Sequence, residues 1–179
     1  MKATGIVRRI DDLGRVVIPK ELRRTLRIRE GEPLEIYTTT EGEVIFKKYS
    51  PIGELGDFAT TYADALSKTT GKPACITDRD NVIAVAGMLK KEIIDKKISS
   101  ELDDTITKKQ NYVSQSQTSG IKILSESEKY HAGIIIPIVA EGDVIGSVIF
   151  ILKEEETLSD VDVKVAETAA LFLGRHMEQ

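Results

Sequence analysis

Four short β-branched runs and one two-turn helix are all that the first fifty residues contain, and that shortage of material limits what they can fold into. Residues 5–10 read as a strand, Asp11-Asp12-Leu13-Gly14 as a turn and residues 16–18 as the returning strand. Pro19 suits the first position of a helix, where its missing N–H has no partner in any case. That helix is expected over residues 20–26, ending before Gly31. Residues 34–37 and 44–47 flank Glu41-Gly42 as a second hairpin. Strands and a helix this short, with no disulfide or metal to staple them, do not bury an adequate core. The module is therefore expected to exist only as an intertwined or tightly packed dimer.

The chain has a formal net charge of −4, which taken alone argues against a polyanionic partner. Its distribution reverses that reading. Residues 1–29 hold nine Lys or Arg against Asp11, Asp12 and Glu21, a net +6, whereas residues 51–179 hold 14 basic and 21 acidic groups, a net −7. Such asymmetry suggests that one part of a chain meets a polyanion. On a wheel of about 100° per residue, Leu22 and Leu26 form the edge expected to be buried. Lys20, Arg23, Arg24 and Arg27 share another face, and Glu21 falls to its side. A merely solvated helix face pairs its cations with Glu at i,i+4; here those acids are missing. Arg8, Arg9 and Arg15 add cations close in the chain. A guanidinium donates two parallel hydrogen bonds to a phosphate or a guanine edge, so double-stranded DNA is the expected partner.

Ser50-Pro51-Ile52-Gly53 marks a boundary, giving an N-terminal domain of residues 1–52 and a second domain of residues 53–179. Leu55, Phe58, Ala59, Tyr62, Ala63 and Leu66 recur at helical spacing, so residues 53–70 read as a connecting helix that ends near Gly71 and Pro73. Strands are expected over 74–77, 82–86, 121–124, 133–139 and 144–152, the last two joined by a short turn at Glu141-Gly142-Asp143. Leu89, Ile93, Ile94, Ile98 and Leu102 suggest a helix between the second and third of these. Residues 110–119 read as a polar, mobile loop. Ser159 is a plausible N-cap for a last helix whose apolar face runs Val161, Val165, Thr168, Ala169, Phe172 and Leu173.

No apolar run approaches the roughly 20 residues that span a bilayer, and the N-terminus has no apolar targeting segment. Cys75 is the one cysteine, which fits a reducing compartment. The expected setting is the cytoplasm, away from membranes. A lone thiol in an apolar strand lacks the second cysteine that resolves an oxidised intermediate. His131 and His176 have no ligand-spaced partners. Gly71-Lys72 lacks the upstream glycine and the following Ser or Thr of a phosphate loop, and no Gly-x-Ser-x-Gly elbow occurs. No catalysis, cofactor or metal is expected.

The segment TGIVRRIDDLGRVVIPKELRRTLRIREGEPLEI resembles the AbrB-like swapped-hairpin DNA-binding domain of bacterial transition-state regulators. The resemblance implies an α+β chain that opens with a β-barrel built from hairpins exchanged between two copies. It places DNA contacts on Arg8, Arg15, Arg23 and Arg24, with Arg9, Lys2 and Lys20 as weaker candidates, and implies a reading of groove shape more than base identity. Related antitoxins share this fold but carry a disordered toxin-binding tail. In the second domain, Pro137-Ile138, Gly142 and Ile145-Gly146-Ser147-Val148-Ile149 match the hairpin of a GAF domain, a PAS-like antiparallel sheet flanked by helices. Residues 74–78 and 82–87 match its opening strands.

The chain as a whole is similar to a family of forespore regulators that join these two domains. That similarity implies activation and repression of forespore genes during sporulation, and a tetramer in which GAF helices join two DNA-binding dimers. The GAF domain either senses an unidentified small molecule or serves as an assembly platform, and the residues name no ligand. The alternatives are an antitoxin-like autoregulator and a GAF-type redox enzyme.

Overall fold

Pro19 sets where the first helix begins. It stands just outside α1 (Lys20–Thr25) at φ −58° and ψ 148°, and its carbonyl accepts the Arg23 N–H at 2.9 Å. The start at Lys20 is the expected one, and the helix stops one residue short of the expected end at Leu26. At the other end Leu26 caps the helix, Ile28 N–H donates to the Arg23 carbonyl at 2.7 Å and Arg27 N–H to the Arg24 carbonyl at 3.3 Å. This paired closure puts the residue after the cap in the left-handed region, usually a glycine; here it is Arg27, at φ +54°. The computed structural model describes residues 4–54, 56–114, 120–152 and 157–178, and the chain divides into two compact units, Met1–Tyr49 and Ser50–Gln179.

In the first unit, β1 (Leu34–Thr38) and β2 (Val44–Lys48) form the expected hairpin, in register from Leu34↔Lys48 to Thr38↔Val44. Gly42, at φ +83°, permits its turn. The strands expected over 5–10 and 16–18 are not formed. Those residues flank a tip closed by Asp11 N–H to the Arg15 carbonyl and Gly14 N–H to the Asp11 carbonyl, both at 3.0 Å, with no ladder beyond it. A strand requires a partner for its alternate backbone groups, and one copy of these short arms supplies none. Leu26, expected on a buried edge, is 57% exposed for the same reason: a single chain has no second layer to cover it.

The second unit is a six-stranded antiparallel sheet of β3 (Ala74–Thr77), β4 (Val82–Ala86), β5 (Tyr112–Val113), β6 (Ile121–Leu124), β7 (Ser127–Ala140) and β8 (Asp143–Ile151). The order is β4-β3-β8-β7-β5, with β6 also pairing β7. Along β7 and β8, Ile134, Ile136, Ile138, Val148 and Phe150 join one apolar layer, and Ile135, Ile149 and Ile151 the other. The period of two is hidden in the sequence because both faces are buried. The first layer is closed by α2 (Pro51–Glu54), α3 (Gly56–Thr70) and α5 (Asp160–His176). A 3-10 turn at Lys90–Glu92 and α4 (Ser100–Thr107) close the second, through Ile93, Ile98, Leu102 and Ile106.

The single helix expected through residues 89–102 is broken in two. Asp95 turns into the left-handed region at φ +59°, and Lys97 and Ile98 form bridges with Asn81 and Leu124. Ser99 then caps α4, its hydroxyl accepting the Leu102 N–H at 3.0 Å. The apolar spacing survives because Ile93, Ile98 and Leu102 are all buried, but a good N-cap wins over helix continuity. Within the expected loop 110–119, Tyr112 and Val113 pair with β7, while residues 115–119 lie outside the described residues. The strand expected at 133–139 begins earlier, at Ser127.

Ser159 does cap α5, in a reciprocal capping box with Asp162. The buried face of that helix overlaps the expected one in Ala169 and Leu173, with Val165 partly buried beside them, but is rotated toward smaller residues. Ala166, Ala169, Ala170, Leu173 and Gly174 pack inward, whereas Val161 and Phe172 are exposed. Gly174 explains the choice: a Cβ there would meet the Val139 carbonyl oxygen at 2.2 Å, so the small face seats directly on β7.

Candidate nucleic-acid interface

The cations of the first unit fall into three groups with different local supports. Lys20, Arg23 and Arg24 lie within α1 at i, i+3 and i+4, positions that share a helix face. Lys20 and Arg24 are exposed and Arg23 half-buried. Arg27 does not join this face as the wheel predicted, since the helix ends at Thr25 and Arg27 turns left-handed. Arg27 remains exposed, and its carbonyl is held by the Lys48 ammonium at 2.7 Å. The helix face therefore carries three cations, with the fourth just past its end.

Arg8 and Arg9 are exposed on the arm that leads into the Asp11 turn. Arg15 leaves that turn with its side chain 71% exposed, yet it is not free. The Asp11 carboxylate accepts the Leu13 N–H at 3.0 Å, the Arg15 backbone N–H at 2.7 Å and the Arg15 Nε–H at 2.8 Å. The bonds from Arg15, backbone first and guanidinium second, hold the Asp11 carboxyl below its usual range. Lys2 lies outside the described residues.

Three further cations have structural roles within the first unit. Glu32 draws both Arg29 and Lys48, each at 3.6 Å, and accepts the Arg29 N–H at 2.7 Å. Lys47 sits 4.7 Å from the Tyr37 ring centre. The Glu32 contact with Lys48 joins residues that only the hairpin register brings near, so linear spacing carried no signal of it. What remains outward is an arginine-rich surface made by a turn, a short helix and its exit, suited to phosphate oxygens and base edges.

The second unit offers weaker candidates. Cys75 is fully buried and burial pushes its thiol up to about 12, so it is not a thiolate nucleophile at neutral pH. His176 packs between rings, 5.1 Å from Phe58 and 6.1 Å from Phe172. Among the described residues no group of three or more His, Cys, Asp or Glu is arranged to hold a metal, and no helix is long and apolar enough to cross a membrane. A groove of about 580 Å³ runs between α3 and α5, lined by Tyr62, Leu66, Thr69, Val161, Lys164 and Val165 among others. Beside it Tyr62 stacks on Phe172 at 5.6 Å, so this helical flank exposes aromatic surface.

Comparison with known proteins places both units. The family described as stage V sporulation protein T C-terminal, transcription factor, matches residues 54–178. The family described as antidote-toxin recognition MazE, bacterial antitoxin, matches residues 7–53. Over 179 residues, all of both proteins, the chain is 54% identical to stage V sporulation protein T of Bacillus subtilis strain 168. Over 51 residues it is 65% identical to the transition state regulatory protein AbrB of the same organism, covering 28% of this chain and 52% of that one. The GAF domain of an Acinetobacter phosphoenolpyruvate-protein phosphotransferase superposes with a TM-score of 0.56 at 13% identity, over 69% of this chain and 81% of that one, a likeness of fold alone.

Proposed function

Because the chain belongs to the stage V sporulation protein T family, we propose that it is a DNA-binding transcription regulator, an activator and a repressor of forespore genes in the cytoplasm during sporulation. Residues 1–52 form the DNA-binding and dimerisation domain, and residues 53–179 the GAF-like domain. The observation that carries this reading is the outward cationic surface of the first unit, with Lys20, Arg23 and Arg24 on one face of α1 and no acid beside them on that face. Arg8, Arg15, Arg23 and Arg24 make the main contacts with duplex DNA, supported by Arg9, Lys20, Arg27 and Lys2. Antitoxin-like autoregulation is less well supported, since the antitoxin-like match stops at residue 53 and a folded unit follows it.

The dimer is favoured by apolar side chains that one copy leaves in water, Val7 at 87% and Val17 at 71% exposure among them. Two such dimers join through the aromatic flank of α3 and α5, and the GAF-like unit thereby serves assembly. A small ligand in the groove along that flank would couple sensing to assembly; thermal shift against a metabolite library tests this, because a bound ligand stabilises by RT ln(1 + [L]/Kd).

A gel-shift titration across a salt series tests the DNA reading. Arg23→Ala and Arg24→Ala are each expected to weaken duplex binding and lower the log–log salt slope by about one for each phosphate no longer neutralised. Unchanged affinity and slope would remove that residue from the interface.

A further inference from the structure

We infer that Asp11 is a positioning residue for Arg15, and that it sets how well the protein discriminates a preferred duplex from a random one. This rests on the reading of Arg15 as a DNA contact. One carboxylate grips the arginine at both ends, through the backbone N–H at 2.7 Å and through Nε–H at 2.8 Å, and is itself steadied by the Leu13 N–H at 3.0 Å. The turn beneath it is closed by Gly14 N–H to the Asp11 carbonyl, with Gly14 at φ +75°, a conformation that suits glycine.

Two consequences follow from the chemistry of the guanidinium. With Nε–H engaged, the side-on edge of Arg15 is spoken for, and the two terminal nitrogens are left to donate end-on as a fork. A long side chain already held in one direction surrenders less rotamer freedom when it meets its target. The geometric requirement therefore becomes stricter. At the same time the Asp11 charge offsets that of Arg15, which lowers the sequence-independent attraction to phosphate. Both effects act in the same sense: less gain on any duplex, more difference between a fitting groove and a poor one. An unpaired arginine on a free turn would do the reverse.

The test uses the full chain and two DNA probes of equal length: a duplex selected from a random pool by the wild-type protein, and an unselected random-sequence duplex. Asp11→Asn keeps an oxygen acceptor for the Leu13 and Arg15 backbone N–H groups while removing the charge that holds Nε. The ratio of the two dissociation constants is expected to fall by at least about fivefold, with affinity for the random duplex unchanged or raised. Arg15→Lys keeps the cation without Nε, so it should lower the ratio similarly at an unchanged salt slope.

If Asp11→Asn shifts both affinities by one common factor, in either direction, the inference fails, because the carboxylate then acts only through charge or only through the fold of the turn. A wild-type ratio near one defeats it as well. Arg15→Ala separates this from the underlying reading. If it changes neither affinity, Arg15 is not in the interface at all. If it weakens binding while Asp11→Asn leaves the ratio intact, the interface stands and the positioning role falls.

Discussion

Among the described residues, Asp162 is the one carboxylate that is buried. It is 4% exposed, accepts both the Ser159 N–H at 2.8 Å and the Ser159 hydroxyl at 2.7 Å, and pairs with the Lys72 ammonium at 3.1 Å. Burial alone would push its carboxyl up, but the Ser159 bonds and the Lys72 charge outweigh that and hold it below the ordinary value. A depressed carboxyl stabilises the fold above its unfolded value of about 3.9 and loses that contribution as the pH drops through the folded value. Asp162→Ala removes half the capping box and leaves Lys72, whose side chain is 16% exposed, without this partner. A loss of about 2–4 kcal/mol is expected in urea unfolding at pH 7. The gap between wild type and Asp162→Asn should narrow as the pH is taken below about 4. An equal gap at pH 7 and pH 3 would show that the charge contributes nothing.

Helix α5 shows where a sequence stops being legible. Its start could be read, because Ser159 with Asp162 three residues on is a local device. Its inward face could be read only in part, because two stripes compete. Val161 and Phe172 are larger and suggest the core, yet α5 rests on the stripe of Ala166, Ala169, Ala170, Leu173 and Gly174, with Val165 partly buried beside it. Close approach to β7 decides between them, and that distance is a property of the assembled sheet. The same logic covers the other outcomes. Strands such as 74–77 and 82–86 were legible to the residue because turn residues bound continuous apolar runs. The break at Asp95 was hidden because the core positions kept helical spacing through it. In the first unit, the cations were legible one by one, but the Arg27 turn and the Asp11–Arg15 grip depend on backbone geometry. Two substitutions separate the stripes of α5. Gly174→Ala, which forces a Cβ against the Val139 carbonyl, is expected to cost about 1–3 kcal/mol in thermal unfolding. Phe172→Ser, at an exposed ring, should cost about 1 kcal/mol or less and, on the proposal that this flank joins two dimers, shift sedimentation toward the dimer. A tetramer that survives Phe172→Ser would place assembly elsewhere.

The two units solve the problem of a core in opposite ways, and this difference governs what each can do alone. The unit from Ser50 onward closes two apolar layers over its own sheet, with Ile52, Ile76, Leu102, Ile135, Phe150 and Leu173 all at 0% exposure. The unit before it leaves Val7, Ile10, Val17, Leu26 and Ile36 more than half exposed, although each would contribute about 1.5–3 kcal/mol if fully covered. A fragment ending at Tyr49 is therefore expected to fold only when a second copy covers those side chains. Analytical ultracentrifugation should find the folded fragment as a dimer, and its melting temperature should rise with concentration because association and folding are one equilibrium. Dilution should yield an unfolded chain, with no folded monomer between. A folded monomer whose melting temperature is independent of concentration would break the link between the uncovered side chains and dimerisation. It would leave each copy with one cationic helix instead of the paired surface that a duplex meets, since a symmetric dimer presents two such helices at a fixed spacing.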